Sequence, residues 1–429
     1  MPATSLAARR GFLRRAAALG AASALPACAV PAPRHAPRVV VIGAGFGGAT
    51  AAKYLRLWSG GAIDVVLVDP AARFVSCPLS NLVVGGQLPF DDIVVPDAGL
   101  EAHGVRRVRA AAAAVDADRR EVVLAGGERL RYDRLVVAPG IDFRRDAVDG
   151  LAAAPEEAFP HAWKAGPQTA LLARQLAAMP DGGTFVIAIP PAPYRCPPGP
   201  YERACLVADA LRRRNPRATL IVLDSNPDLV SKGALFRRAW ADHGKRIDYR
   251  PQSRVVACDA RTRTLVTEMG ERVRGDVVNL IPPQRAADLA VAAGLVPAQG
   301  TWCPVDWLAL ESTLVPGVHV LGDATLSAPG MPKSGHMANQ HGKAAAAAVI
   351  ARLAGEAPPP PVMVNTCYSF VDAAHAIRVS SVHRYDAASR TVAPVAGAGG
   401  VSAAETSQWA LEAGYARGWA RTIWADTLA

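Results

Sequence analysis

The sequence predicts an α/β protein: a Rossmann-type dinucleotide-binding domain, a second Rossmann-like domain and a C-terminal α+β region. Three observations carry this reading. A strand, glycine turn, helix, strand and acid follow one another between Arg38 and Asp69. Two further strand-like runs, Thr184–Ile189 and Ala218–Asp224, repeat the plan and again end in an acid. The chain has 429 residues, is 51% hydrophobic and contains 35 prolines, which gives length for two or three compact units and excludes a disordered polymer.

Residues 1–36 read as an address. Ala8-Arg9-Arg10-Gly11-Phe12-Leu13-Arg14 is a twin-arginine pattern followed by an apolar stretch, Ala16–Val30, too short to span a bilayer. Cleavage after Ala29 is expected, and with it export of a folded, cofactor-bearing protein to the periplasm without a transmembrane segment. Five arginines and no acids lie in this stretch, so removing it lowers the formal net charge from +10 to +5. No basic run is interleaved with aromatics, which argues against a nucleic-acid partner.

In residues 37–158 the run Arg38–Ile42 leads into Gly43-Ala44-Gly45-Phe46-Gly47-Gly48, a helical stretch, a second apolar run and Asp69. Gly43, Gly45 and Gly48 permit a tight turn, close approach of backbone to a pyrophosphate and close helix packing. The helix N-terminus favours the phosphate charge, and Asp69 is placed to accept hydrogen bonds from a ribose. Tyr132–Gly140 resembles the strand and turn closing the first half of the FAD domain in two-dinucleotide-domain flavoproteins. Val318–Ala324, within the second part at 286–356, resembles their second signature, in which the residue at Asp323 contacts the ribityl chain. Order and spacing favour FAD over NAD.

The second domain, 159–285, departs from a nicotinamide site where its glycine turn belongs. Pro190-Pro191-Ala192-Pro193-Tyr194-Arg195-Cys196-Pro197-Pro198-Gly199-Pro200 offers few backbone N–H groups to a pyrophosphate. The domain keeps its fold and loses NAD binding. Ala357–Pro361 is a stiff linker into a C-terminal interface region, 357–429. There Leu411, Tyr415, Trp419 and Ile423 recur every four residues, predicting a helix face that packs on the chain itself or on a partner.

Seven cysteines lie at 28, 77, 196, 205, 258, 303 and 367. None forms C-x-x-C, so neither a zinc ribbon nor attached c-type haem is expected, and no metal ligands are assigned. By residue type alone Cys77 is either a buried inert thiol or a nucleophile able to form a flavin thioether. Cys196 and Cys367 are either unrelated, a staple or a redox pair.

Cys77-Pro78-Leu79-Ser80-Asn81, Cys196–Arg203, Ile281–Arg285, Trp302–Asp306, Met331–Gly335 and Asn365–Ser369 together resemble the flavoprotein subunit of flavocytochrome c sulfide dehydrogenase, from about Arg38 to the C-terminus. The resemblance implies FAD attached covalently through Cys77, a redox disulfide of Cys196 with Cys367, sulfide as substrate and a c-type cytochrome subunit as electron acceptor. It gives Cys303 no redox role, and Cys205 and Cys258 are expected as core thiols. His336, Met337 and His341 stand beside the Lys333-Ser334-Gly335 motif as candidates for tuning the flavin site. Two alternatives share the fold: a sulfide:quinone oxidoreductase, and an accessory FAD protein of sulfur oxidation.

Overall fold

The computed structural model describes residues 36–243 and 246–429. The export signal, except for Ala36, therefore lies outside the described residues, as does Cys28. The elements that position the site begin with β1 (Arg38–Ile42), α1 (Phe46–Trp58), β2 (Asp64–Val68), β3 (Arg106–Val108) and β4 (Arg134–Val137). After them come β5 (Thr184–Ile189), α2 (Gly199–Arg214), β6 (Thr219–Asp224), β7 (Ile247–Arg250) and β8 (Val277–Leu280). Then follow β9 (Val305–Asp306), β10 (Glu311–Ser312), β11 (Val318–Val320) and α3 (Gly335–Ala354). The last are β12 (Val362–Phe370), β13 (Ala376–Asp386), β14 (Thr391–Pro394) and α4 (Trp409–Leu428).

Seven strands form the first sheet in the order β9-β10-β11-β4-β1-β2-β3, with β1 parallel to both β2 and β4. Val39, Val40 and Val41 are wholly buried, as a strand covered on both faces requires. Each such valine contributes roughly 1.5–3 kcal/mol by leaving water. The sheet takes strands from both sides of the segment that builds the second sheet, β7-β6-β5-β8, whose neighbours are all parallel. The fold is thus the two-Rossmann α/β architecture expected. A third sheet pairs β12, β13 and β14, with residues 400–401 adding a short edge to β13.

Helix α4 closes the molecule against the first domain. Tyr54 donates to Asp426 at 2.6 Å, Lys343 pairs with the same carboxylate at 2.8 Å, and Trp424 Nε1 donates to Ser76 Oγ at 2.7 Å. The four-residue stripe expected on this helix is corrected. Leu411 is 58% exposed and Tyr415 54%, while Ile423 is buried. Residues four apart advance about 40° beyond a full turn, so three steps carry the stripe about 120° around the helix. The packed face is instead Trp409, Ala413, Ala416, Ala420, Ile423 and Thr427. Among the described residues no helix is long and apolar enough to cross a membrane.

Candidate functional site

Strand β1 delivers the chain into the glycine turn. Gly43 has φ +94°, and a Cβ there would stand 2.3 Å from the Ala138 carbonyl oxygen; one on Gly48 would stand 1.8 Å from that of Gly43. Among the described residues nothing lies within 4 Å of a would-be Cβ on Gly45, the N-cap of α1, so its bare backbone faces open space. Gly47 carries a packing role that a reading of the motif spacing missed. A Cβ there would stand 2.4 Å from Leu321 Cδ1 and 3.3 Å from the Ala338 carbonyl oxygen on α3.

That open space is a cleft lined by Gly45, Asp69, Cys77, Gly140, Arg195 and Asp323 among others. Asp69 is fixed by N–H donors of Ala44 and Ala71, each at 2.7 Å, and stays partly exposed on the rim. Arg73, Arg107 and Lys164 bring positive charge to the same walls. Asp323 follows β11 at a turn where Gly322 has φ +74°. One of its oxygens, Oδ1, is buried and has no hydrogen-bond partner among the described residues, an arrangement that costs about 1–3 kcal/mol unless a ligand donor meets it. Unfilled backbone at Gly45, the α1 N-terminus, basic walls and a carboxylate lacking a donor suit a dinucleotide with a polyol chain, and so fit FAD.

A second cavity adjoins the first. Cys77, Arg195 and Gly335 line both. Gly335 opens the 20-residue helix α3, whose N-terminal charge is thereby directed at the shared wall. Cys196 and Cys367, about 170 residues apart in sequence, both line this second cavity. Among the described residues each is a free thiol, so the structure shows the pair unjoined. Their sulfurs rest against different neighbours. Cys196 Sγ is 3.0 Å from where Gly199 would carry a Cβ, beside Trp163, whereas Cys367 Sγ is 3.7 Å from Asn365 Oδ1.

Backbone at positive φ is confined by packing here. Cys196 (φ +54°) and Leu79 (φ +71°), two residues after Cys77, hold conformations that cost non-glycine residues about 1–3 kcal/mol. The Cys196 N–H donates to the Lys333 carbonyl at 2.7 Å, tying its segment to the start of α3.

Buried charge surrounds the thiols, and isolated residues gave little hint of it. Glu202 accepts from Asn81 Nδ2 and from the Phe370 N–H, each at 2.8 Å, while burial pushes its carboxyl up despite those bonds. Arg203, 2% exposed, donates to Asn81 Oδ1 and to the His161 and Ala162 carbonyls; burial brings it down to about 10. Lys232 donates to Ser369 Oγ at 2.8 Å and to the Cys367 carbonyl at 3.3 Å, and burial brings it down to about 8. Burial pushes both thiols up, the Cys367 thiol against the opposing charge of Lys232. Tyr201-Glu202-Arg203 ends the Cys196–Arg203 string that carries the family resemblance, the one sequence signal that marks this helix start as unusual.

The remaining cysteines stand apart. Cys205 is fully buried and accepts from Trp240 Nε1 at 3.2 Å; Cys303 is buried and pushed up to about 12 by desolvation. Cys258 is corrected from core to half-buried, since it sits in the three-stranded hairpin sheet beside the second domain's core. His336 lines the thiol cavity and accepts the Thr366 N–H at 2.9 Å through Nδ1. His341 accepts the Gly322 N–H at 3.1 Å and is pushed down to about 3 by burial and then by Lys333, so it is neutral near pH 7. Met337 is core. Among the described residues no three His, Cys, Asp or Glu gather to hold a metal.

In the second domain Asp224 is wholly buried. It accepts from Tyr201 Oη at 2.8 Å, Tyr249 Oη at 3.0 Å and the Asn226 N–H at 2.9 Å, leaving no face for a ribose.

Comparison with known proteins agrees with this architecture. Residues 37–165 match the family model for pyridine nucleotide-disulphide oxidoreductases. Residues 169–282 match that for the central part of the sulfide dehydrogenase [flavocytochrome c] flavoprotein chain, and 359–428 that for the flavin-binding part of flavocytochrome c sulphide dehydrogenase. The ferredoxin–NAD(+) reductase component of the biphenyl dioxygenase system of Paraburkholderia xenovorans is 27% identical over 294 residues, 66% of each chain. The sulfide:quinone oxidoreductase structure from Aquifex aeolicus superposes with a TM-score of 0.70 at 20% identity, covering 92% of this chain and 93% of that one, which shows the fold. The sulfide dehydrogenase [flavocytochrome c] flavoprotein chain of Chlorobaculum thiosulfatiphilum is 59% identical over 46 residues, 11% of this chain and 94% of that sequence. With both specific family models matched on either side of the thiol cavity, the chain belongs to the flavocytochrome c sulfide dehydrogenase flavoproteins, FAD-binding oxidoreductases of the two-Rossmann fold.

Proposed function

We propose that this protein oxidises hydrosulfide at a Cys196–Cys367 disulfide, carries FAD covalently on Cys77 and passes electrons to a separate c-type cytochrome. The observation that supports this most is the meeting of Cys196 and Cys367 in one cavity, with Cys77 and Arg195 forming part of its boundary with the dinucleotide cleft. FAD in that cleft would supply the two-electron acceptor. Hydrosulfide attack forms a bond to one sulfur of the disulfide and breaks the S–S bond, leaving a persulfide and a thiolate. Removal of two electrons from that pair re-forms the disulfide and frees one zero-valent sulfur and one proton. Glu202, buried in the same cavity with its carboxyl pushed up, is suited to take that proton. Lys232 offsets the negative charge that the pair carries when open.

Loss of nicotinamide binding supports a different acceptor: the prolines at 190–200 and the sealed Asp224 leave the second domain without a pyrophosphate cradle or ribose partner. Quinone is the second reading, favoured by exposed Leu411 and Tyr415 on α4, which an interfacial helix would use. The twin arginines at 9 and 10 support work in the periplasm.

The test is sulfide turnover by protein from the periplasmic fraction, its N-terminus sequenced, with a c-type cytochrome or a short-chain quinone. Expected are a start near residue 30, rapid cytochrome reduction, and a loss of at least about 100-fold in Cys196→Ser and Cys367→Ser, with the double variant little worse than either. Reduction of quinone alone selects the second reading. No turnover with either acceptor, in protein that retains FAD, leaves the accessory role. A precursor confined to the cytoplasm refutes the export proposal.

A further inference from the structure

Arg195 stands in the wall shared by the two cavities. Its main chain is clamped, the N–H donating to Gln284 Oε1 at 2.9 Å and the carbonyl accepting from Trp163 Nε1 at 3.1 Å. Its side chain, 16% exposed, reaches into the wall: Nη2 donates to Cys77 Sγ at 2.6 Å and Nε lies 3.6 Å from Asp323 Oδ2. A guanidinium withdrawn from water is costly unless it meets negative charge, and a neutral thiol is a weak acceptor. The same geometry becomes strong and charge-assisted once the sulfur carries negative charge. Neither opening the Cys196–Cys367 pair nor closing it calls for a cation on Cys77.

From this contact we infer that Arg195 serves covalent attachment of the flavin: it orients Cys77 Sγ at the cleft wall and stabilises the negative charge on that sulfur as it bonds to the flavin's 8-methyl carbon. The inference rests on Cys77 as the attachment point. In the reaction the Cys77 S–H bond and one methyl C–H bond break and a C–S bond forms. The two electrons released, with two protons, reduce the ring system, and a one-electron acceptor of the cytochrome class or dioxygen then removes them. Asp323 holds the other side of the guanidinium, so Arg195 keeps one anionic partner whether or not the sulfur is charged.

Full-length protein from riboflavin-starved cells would be mixed with FAD in air, sampled over time and precipitated with acid. The flavin remaining on the polypeptide and the mass of the Cys77 peptide are the readouts. Wild type should become acid-stable, and Cys77→Ser should bind FAD yet release all of it. Arg195→Gln should bind FAD but attach it at least about tenfold more slowly, with Arg195→Lys, which keeps the charge, between the two. Attachment at the wild-type rate in Arg195→Gln overturns the inference. Should that variant fail to take up FAD, Arg195→Lys decides: attachment at the wild-type rate overturns the role, and slower attachment with normal FAD binding upholds it. Complete release of FAD by wild type instead removes Cys77 as the attachment point, and the role of Arg195 falls with it.

Discussion

In the first Rossmann unit the carboxylate ending the second strand, Asp69, stands on the rim of an open cleft with its backbone donors in place. In the second unit the corresponding Asp224 is enclosed by Tyr201, Tyr249 and Asn226. The difference begins at the turns. Bare glycine backbone leaves room over α1, whereas proline-rich chain before α2 carries Cys196 and Arg195 to the cavity wall and lets Tyr201 reach Asp224. One supersecondary plan therefore serves two ends: as a cofactor cradle, and as a rigid mount for a thiol. What separates them is whether the strand-end acid faces a ligand or its own chain.

The largest effect expected from this comparison is at Gly48. A methyl group there would lie 1.8 Å from the Gly43 carbonyl oxygen, a backbone atom that cannot yield. Gly48→Ala should cost more than about 4 kcal/mol and give little soluble, yellow protein. Near-normal flavin content per polypeptide would show that the turn tolerates what its geometry forbids.

The paired aspartates come next. Asp224→Ala strands the Tyr201, Tyr249 and Asn226 donors and should cost about 3 kcal/mol in unfolding free energy with an unchanged flavin spectrum. Asp69→Ala, made in a Cys77→Ser background so that FAD can dissociate, should weaken FAD binding about tenfold, or about 1.4 kcal/mol, with a smaller change in thermal unfolding. Equal effects on stability would erase the distinction between cradle and mount.

The last effect is a pH slope. His341 beneath the cofactor turn and His161 behind the second unit are each pushed from 6.5 down to about 3, chiefly by burial. Between those values the unfolded chain binds protons that the folded chain does not. The stability due to each ring is therefore whole above about pH 6.5 and is lost as pH falls toward 3, at no more than about 1.4 kcal/mol per pH unit each. His341→Gln should flatten the denaturation midpoint against pH between 7 and 4 by one proton's share. An unchanged slope would mean that the ring does not carry this linkage.

Local rules made much of the molecule readable in advance. Glycine spacing, the valine run of β1 and the acid at 69 each follow from backbone geometry within a few dozen residues, and the prolines at 190–200 leave that turn few backbone N–H donors for the same reason. The stripe on α4 failed because a period of four drifts around a 3.6-residue helix. What local rules could not supply is the company each side chain keeps. Glu202 and Arg203 look like ordinary surface charges on a helix until α2 is seen buried along most of its length. Nor do local rules reveal that Arg195 touches Cys77, or that Cys196 meets the cavity of Cys367. Those contacts join residues more than 100 positions apart, and they depend on how two sheets and a C-terminal layer pack together, a property of the whole chain's burial rather than of any one segment's propensity.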